Sequence, residues 1–260
     1  VALIETEHTH DGRVLRAWLN RPEVHNAFGA ELIQDIHDLF AAADADDHLR
    51  VVVLGGRGRS FSAGADAAWM RAALDLDWDG DVADAERLAA MLRRVDECAH
   101  PVIARVHGAA LGGGAGLVAC ADVAVAAAST TLGFVETRVG LIPATIAPFV
   151  VAKIGLSEAR ARFLTGSRFD AREAYRIGLV HDVAEDGKGL DEAVEAWIAQ
   201  LLLGGPEAQR HAKMLLRNVV GRFPDRVHRE TAEAIAERRR SHEGQEGLRA
   251  LLEKRPPSWQ

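Results

Sequence analysis

Phe61–Asp66 reads FSAGAD, and His107–Asp122 reads HGAALGGGAGLVACAD. Both stretches follow short apolar runs, VVVL at 51–54 and VIARV at 102–106. Both place small residues where a strand gives way to a helix. Small residues let a ligand come close to the backbone. The first N–H groups of a helix have no intrahelical partner, and the helix dipole favours negative charge there. Two such N–H groups aimed at one point form an oxyanion hole, which suits chemistry on a carbonyl whose oxygen becomes negative.

The neighbouring sequence supplies the frame. Arg13–Leu19 reads as a strand, and RPEVHNAF as a turn in which Asn26 or a neighbour caps the next helix. From Ala30, Leu32, Ile33, Ile36, Leu39 and Phe40 keep helical spacing. Val51–Leu54 is a continuous apolar run, the mark of a strand buried on both faces. Trp69–Asp84, containing DLDWDGDVAD, is the least regular stretch; it reads as a solvated surface loop or as a mobile flap over one end of a substrate. A helix resumes over Ala85–Cys98, and Val123–Ala127 is a further strand. Alternation of strands and helices predicts an α/β fold. After about Gln200 only helical patterns remain, dividing the chain into residues 1–200 and a helical C-terminal region, 201–260.

Composition narrows the function. The 260 residues carry a formal net charge of −7 with no long basic run, which argues against a nucleic-acid partner. Cys98 and Cys120 have no zinc spacing, and no histidine pair sits on a convincing helix face, so no metal site is expected. No apolar segment reaches the roughly 18 residues of a membrane span, and the N-terminus lacks a secretory pattern. A cytoplasmic protein is expected. Gly112–Gly116 lacks the setting of a dinucleotide fingerprint, and Ser62 is not in a GxSxG elbow, which argues against thioester hydrolysis. His107, just before the glycine loop, orients that loop, contacts substrate or is simply structural.

Taken together, LNRPEVHNAF, GRGRSFSAGAD, the HGAALGGG loop, LGFVETRVGLIP, LTGSRFDAREAYRIGLV and EGLRALLEKR resemble the crotonase, or enoyl-CoA hydratase/isomerase, superfamily almost end to end. The resemblance implies a spiral of ββα repeats forming an acyl-CoA-binding core, with a helical C-terminal region that packs in trimers or hexamers. It also implies stabilisation of an enolate derived from an acyl-CoA thioester, with no metal or redox cofactor, coenzyme A being part of the substrate. By motif match, the N–H groups of Ala65 and Gly113 form the oxyanion hole. For coenzyme A, the match carries over the Ala63 carbonyl, Asp66, Val24 and His25, with Arg59 at the phosphate. Lys254 matches a lysine that reaches a neighbouring subunit's coenzyme A.

Hydration of a 2-enoyl thioester needs a base to activate water and an acid to protonate Cα. Many hydratases of this superfamily use two glutamates. The first of those positions is Gly116 here, which has no acid; the second is present as Glu136. A glutamate near an apolar acyl pocket has its pKa raised by desolvation; a structural alternative for Glu136 is an ion pair with Arg138. Three readings follow. Glu136 performs both proton operations; or another acid, including a carboxylate on the substrate, helps; or Glu136 shifts a proton from C2 to C4 of a 3-enoyl-CoA as an isomerase. A non-catalytic coenzyme A-binding protein is the alternative of another class. Pro143–Pro148 (PATIAP), together with glycine at 116, is similar to the methylglutaconyl-CoA and carboxygeranoyl-CoA hydratase subgroup, which favours hydration of a branched substrate. Arg71 and Arg138 are the candidates to receive a distal carboxylate on such an acyl group.

Overall fold

The computed structural model describes residues 2–260. Its main sheet contains β1 (Ile4–Thr9), β2 (Val14–Leu19), β3 (Val51–Gly56), β4 (Val102–Val106), β6 (Val123–Ala127) and β9 (Asp182–Ala184), paired in that order. β1 and β2 are antiparallel; every other pair is parallel. All six residues of β3 and all five of β6 are buried, which is why these strands read as continuous apolar runs rather than alternating ones.

A second sheet runs alongside it, with β5 (Ala109–Leu111) parallel to β7 (Thr131–Gly133) and β7 antiparallel to β8 (Arg168–Asp170). Single bridges extend it, Ser62 pairing with Ala110 and Phe28 with Ala65. The chain therefore repeats one path. β2, β3, β4 and β6 each lead to an extended piece at Phe28, at residues 62–65, at β5 and at β7 in turn. Helices then return the chain. α1 (Ala30–Asp44) follows the first piece, α2 (Ala67–Ala73) and α3 (Trp78–Asp96) the second, α4 (Gly113–Cys120) the third and α5 (Ala147–Thr165) the fourth. This is the spiral of ββα repeats.

The Trp69–Asp84 stretch is a correction to the loop expected there. It holds most of α2 and the first turns of α3. The Asp66 carboxylate caps α2 through the Ala68 N–H, and Asp77 caps α3 through the Gly80 N–H. The caps carry these segments, because α2 buries none of its residues and α3 buries only Met91, Leu92 and Val95. That scarcity hid the helical period.

One face of the main sheet packs on α1, α3 and α4. Against the other face lies α7 (Gly187–Leu203), whose Leu190, Val194, Ile198 and Leu202 meet Val14, Val51, Val53, Ile103 and Val125. Between β8 and β9 lies α6 (Ala171–Arg176). The C-terminal region consists of α8 (Pro206–Val219), α9 (Pro224–Arg240) and α10 (His242–Glu253). Lys213 of α8 donates to Asp122 at 2.6 Å and to the His100 carbonyl at 3.1 Å, fastening α8 to the core. Among the described residues no helix is long and apolar enough to cross a membrane.

Candidate active site

The site lies between the second and third turns of the spiral. Phe28 donates its N–H to the Gly64 carbonyl at 2.6 Å, and the Asp66 N–H donates to the Phe28 carbonyl at 2.8 Å. In such a parallel bridge the Ala65 N–H must point away from Phe28. On the other side, the ladder to β5 ends at Ser62, whose N–H donates to Ala109 and whose carbonyl accepts from Leu111. Gly64, at φ +89°, then turns the chain out of that ladder. A Cβ on Gly64 would lie 2.7 Å from the Leu111 carbonyl oxygen, so both the angle and the space demand glycine. Gly113 opens α4, where an N–H has no intrahelical acceptor. Among the described residues neither the Ala65 nor the Gly113 N–H has an acceptor. The Gly113 nitrogen is 3.6 Å from where a Gly64 Cβ would stand, so the two donors are neighbours.

Glu136 begins a short 3-10 helix, Glu136–Val139, after β7. Its Oε1 lies 3.2 Å from where a Cβ on Gly112 would be, beside the residue that supplies one of the two donors. Oε2 is buried and has no hydrogen-bond partner among the described residues. Burial holds the Glu136 carboxyl above its ordinary pKa, with its own backbone N–H pulling weakly the other way. Among the described residues it forms no ion pair with Arg138, whose Cγ packs where a Cβ on Gly166 would be. A half-buried, unpaired carboxylate beside two unpaired N–H donors can exchange a proton with a ligand whose oxygen those donors hold.

The other sequence candidates fall into separate groups. The Ala63 N–H donates to the His25 carbonyl at 2.9 Å, while the Ala63 carbonyl accepts no bond among the described residues. Val24 ends a short 3-10 helix, and His25 follows it in the left-handed conformation, its ring hydrogen-bonded to Ser60 Oγ at 3.0 Å. His25 and exposed Arg59 line a groove of about 310 Å³ with Ser129, Thr131 and Arg168. Arg59 also borders a second groove of about 630 Å³, with Trp18, Arg57, Arg105 and His107. His107 Nε2–H donates to the Gly58 carbonyl at 3.0 Å, within the fold, and burial pushes its pKa down. Asp66 is 8% exposed. One of its oxygens accepts from the Ala68 N–H and the other from Arg21, both at 2.7 Å, so it braces the loop. Lys254 is exposed at the C-terminal cap of α10, a helix that packs on α8 and α9. Arg71 lies exposed on α2.

Sequence reasoning missed two contributors. Arg21, in the RPEVHNAF turn, bridges Asp66 and the Ala27 carbonyl and so ties the first turn of the spiral to the second. Ile146 packs where a side chain on Gly116 would begin. The signal for the latter was present, since glycine at 116 and the PATIAP stretch occur in the same chain.

Residues 9–260 match the family model described as enoyl-CoA hydratase/isomerase. The chain belongs to this family. A Thermus thermophilus protein, provisionally named an enoyl-CoA hydratase, is 35% identical over 246 residues, covering 95% of this chain and 97% of that protein. The crystal structure of an enoyl-CoA hydratase from Shewanella pealeana superposes with a TM-score of 0.94 at 35% identity, over 99% of this chain and 96% of its own. Pseudomonas aeruginosa AtuE gives a TM-score of 0.94 at 36% identity, over 99% of both chains. The crotonase fold and an enzyme of the enoyl-CoA hydratase/isomerase family are thereby established, and an acyl-CoA substrate is consistent with that family.

Proposed function

We propose that this enzyme adds water to a 2-enoyl-CoA with Glu136 as its one side-chain acid/base. The observation that carries the reading is the unpaired Glu136 carboxylate beside the free N–H groups of Ala65 and Gly113. The ionised carboxylate takes a proton from water as the water oxygen bonds to Cβ. The electron pair of the Cα–Cβ double bond moves to Cα and the thioester carbonyl, giving an enolate. Its oxygen accepts from the two N–H groups, whose bonds strengthen as charge develops. The carboxyl then returns its proton to Cα, and one group serves both steps on one face. Ala63, Val24, His25 and Arg59 hold the coenzyme A portion, whose ordinary chemistry needs no metal; Asp66 acts on it by bracing the loop. A branched, methylglutaconyl-type acyl group is the proposed substrate, supported by the PATIAP sequence. The assembly proposed is a homotrimer or homohexamer working in the cytoplasm.

Gly116 favours one second reading, isomerisation of a 3-enoyl-CoA, because moving a proton from C2 to C4 needs a single base. Turnover of crotonyl-CoA, 3-methylglutaconyl-CoA and 3-hexenoyl-CoA in oxygen-18 water separates the two. Hydration places the label in a 3-hydroxyacyl product. Formation of 2-hexenoyl-CoA with no label in any product selects the isomerase, and tight coenzyme A binding with no turnover selects a non-catalytic binder.

A further inference from the structure

Gly112 caps the start of α4 at φ +51°, and Gly116 follows within the helix, its N–H donating to the Gly112 carbonyl at 3.0 Å. The bond sets Gly116 about one helical turn beyond Gly112. Over Gly112 stands the Glu136 carboxylate. Over Gly116 stands Ile146. A Cβ at 116 would fall inside the van der Waals shell of Ile146 Cγ2 and 2.9 Å from Ile146 Cβ. Ile146 is not free to swing away, being 1% exposed and part of the main core. Its backbone is fixed as well. It caps α5, its carbonyl accepting from the Val150 N–H at 3.0 Å, and the turn before it is closed by Ala144 and Ala147.

We propose that Gly116 and Ile146 are an interlocked pair, in which Ile146 closes the place of a second acid and forms the apolar wall beside Glu136. Residue 146 thereby decides whether one carboxylate or two can work in this site. The inference rests on Glu136 being the acid/base. Glycine at 116 is then the partner of a large residue at 146, and a side chain at 116 becomes possible only when 146 shrinks. Ile146 is a positioning residue. It acts by excluding water and substrate from the side of α4 next to Glu136. Among the described residues, burial and its own backbone N–H are what act on the Glu136 carboxyl. The α4 glycines bring no titratable group, nor do Thr145 and Ile146 ahead of α5; Arg138 packs on Gly166, and Asp66 is engaged by Arg21.

Two measurements on the full-length enzyme test this, Tm and the pH profile of kcat/KM for whichever enoyl-CoA it turns over best. Gly116→Glu is expected to lower Tm by several degrees through overpacking and to cut kcat/KM by about 10²-fold through displacement of α4. Combining it with Ile146→Gly should give a higher Tm than the two single losses added together. The double variant should also show a second carboxylate ionisation in its pH profile. Ile146→Ala should move the acid limb of the profile to lower pH, because water reaches Glu136. Additive Tm changes, or an acid limb unmoved in Ile146→Ala, overturn the proposal. If the wild-type protein turns over no enoyl-CoA, the proposed function fails, while the Tm cycle still decides whether the pair is interlocked.

Discussion

Glu136 shows how one residue's surroundings set both its chemistry and its cost. Its carboxyl is half-buried, unpaired and without a hydrogen-bond partner at Oε2, so the charged form is disfavoured in the folded chain. Activity needs that charged form as the base. The acid limb of kcat/KM is therefore expected above the ordinary glutamate range, and Glu136→Gln should lower kcat by about 10²–10⁴-fold with the fold intact. Steady-state kinetics across pH check this, and full activity in the variant would sink the assignment. The same burial has a stability consequence. A pKa raised on folding means that, between the unfolded value and the folded one, the native state binds more protons than the unfolded state. Stability then falls as pH rises through that window and stays lower above it. Glutamine has no such penalty. Its Tm should match the wild type at pH well below 4.5 and exceed it near neutrality, a gap that thermal melts at two pH values would reveal or exclude.

Among the elements, the loop from Phe61 to Asp66 depends most on neighbours remote in sequence. Gly64 bends it, Phe28 anchors it, and Asp66 fastens its end to α2 and Arg21. The Ala68 N–H and the Arg21 guanidinium hold the Asp66 carboxyl below its ordinary pKa, so this brace persists through the working pH range. Asp66→Ala removes a helix cap and leaves the partly buried Arg21 guanidinium without its carboxylate, only the Ala27 carbonyl remaining, which together cost about 2 kcal/mol, or roughly 4–8 °C in Tm. Because the Ala65 N–H moves with the loop, kcat should fall along with stability, and Asp66→Asn, which keeps the cap, should recover part of both. A variant with wild-type Tm and kcat would show that the loop holds itself. Much of this element was legible in the sequence. Positive φ and close backbone approach select small residues locally, so FSAGAD and GGGAG announced two tight strand-to-helix turns, while the choice of Ala65 and Gly113 as donors came from the family resemblance. The strands β3 and β6 were legible for a related reason, since burial on both faces leaves an unbroken apolar run. The helices of Trp69–Asp84 were not. They bury almost nothing, and their caps are aspartates in a stretch already rich in acidic residues. The hold of Arg21 on Asp66 spans 45 positions, and the seat of Ile146 against Gly116 spans two spiral turns. Spacing along the chain does not encode contacts of that kind.

For the whole molecule, the distribution of exposed apolar surface bears on assembly. Leu216, Val220, Phe223, Leu251 and Leu252 stand exposed across α8, the turn after it and α10. Val139, Leu141 and Ile142 are exposed immediately after Glu136. Large apolar patches in water mark interaction surfaces. The C-terminal helices are also coupled to the core, because Lys213 reaches Asp122 and the Arg217 side chain pairs with Asp96 at 3.3 Å. A neighbour gripping α8–α10 would therefore bear on α4 and β6 without a flexible joint between them. If the proposed trimer or hexamer forms, sedimentation equilibrium will return three or six times 28.1 kDa, and Leu251→Glu with Leu252→Glu will lower that mass. Lys254, next to these leucines, provides the functional readout. Should it reach a neighbour's coenzyme A, Lys254→Ala will raise KM in the assembled enzyme with kcat unchanged, which is the mark of binding lost equally from ground and transition states. In the dissociated Leu251/Leu252 variant the same lysine change should have no further effect on KM. A wild-type monomer, or an effect of Lys254→Ala that persists after dissociation, would place the lysine outside any shared site and leave coenzyme A to the residues of one chain.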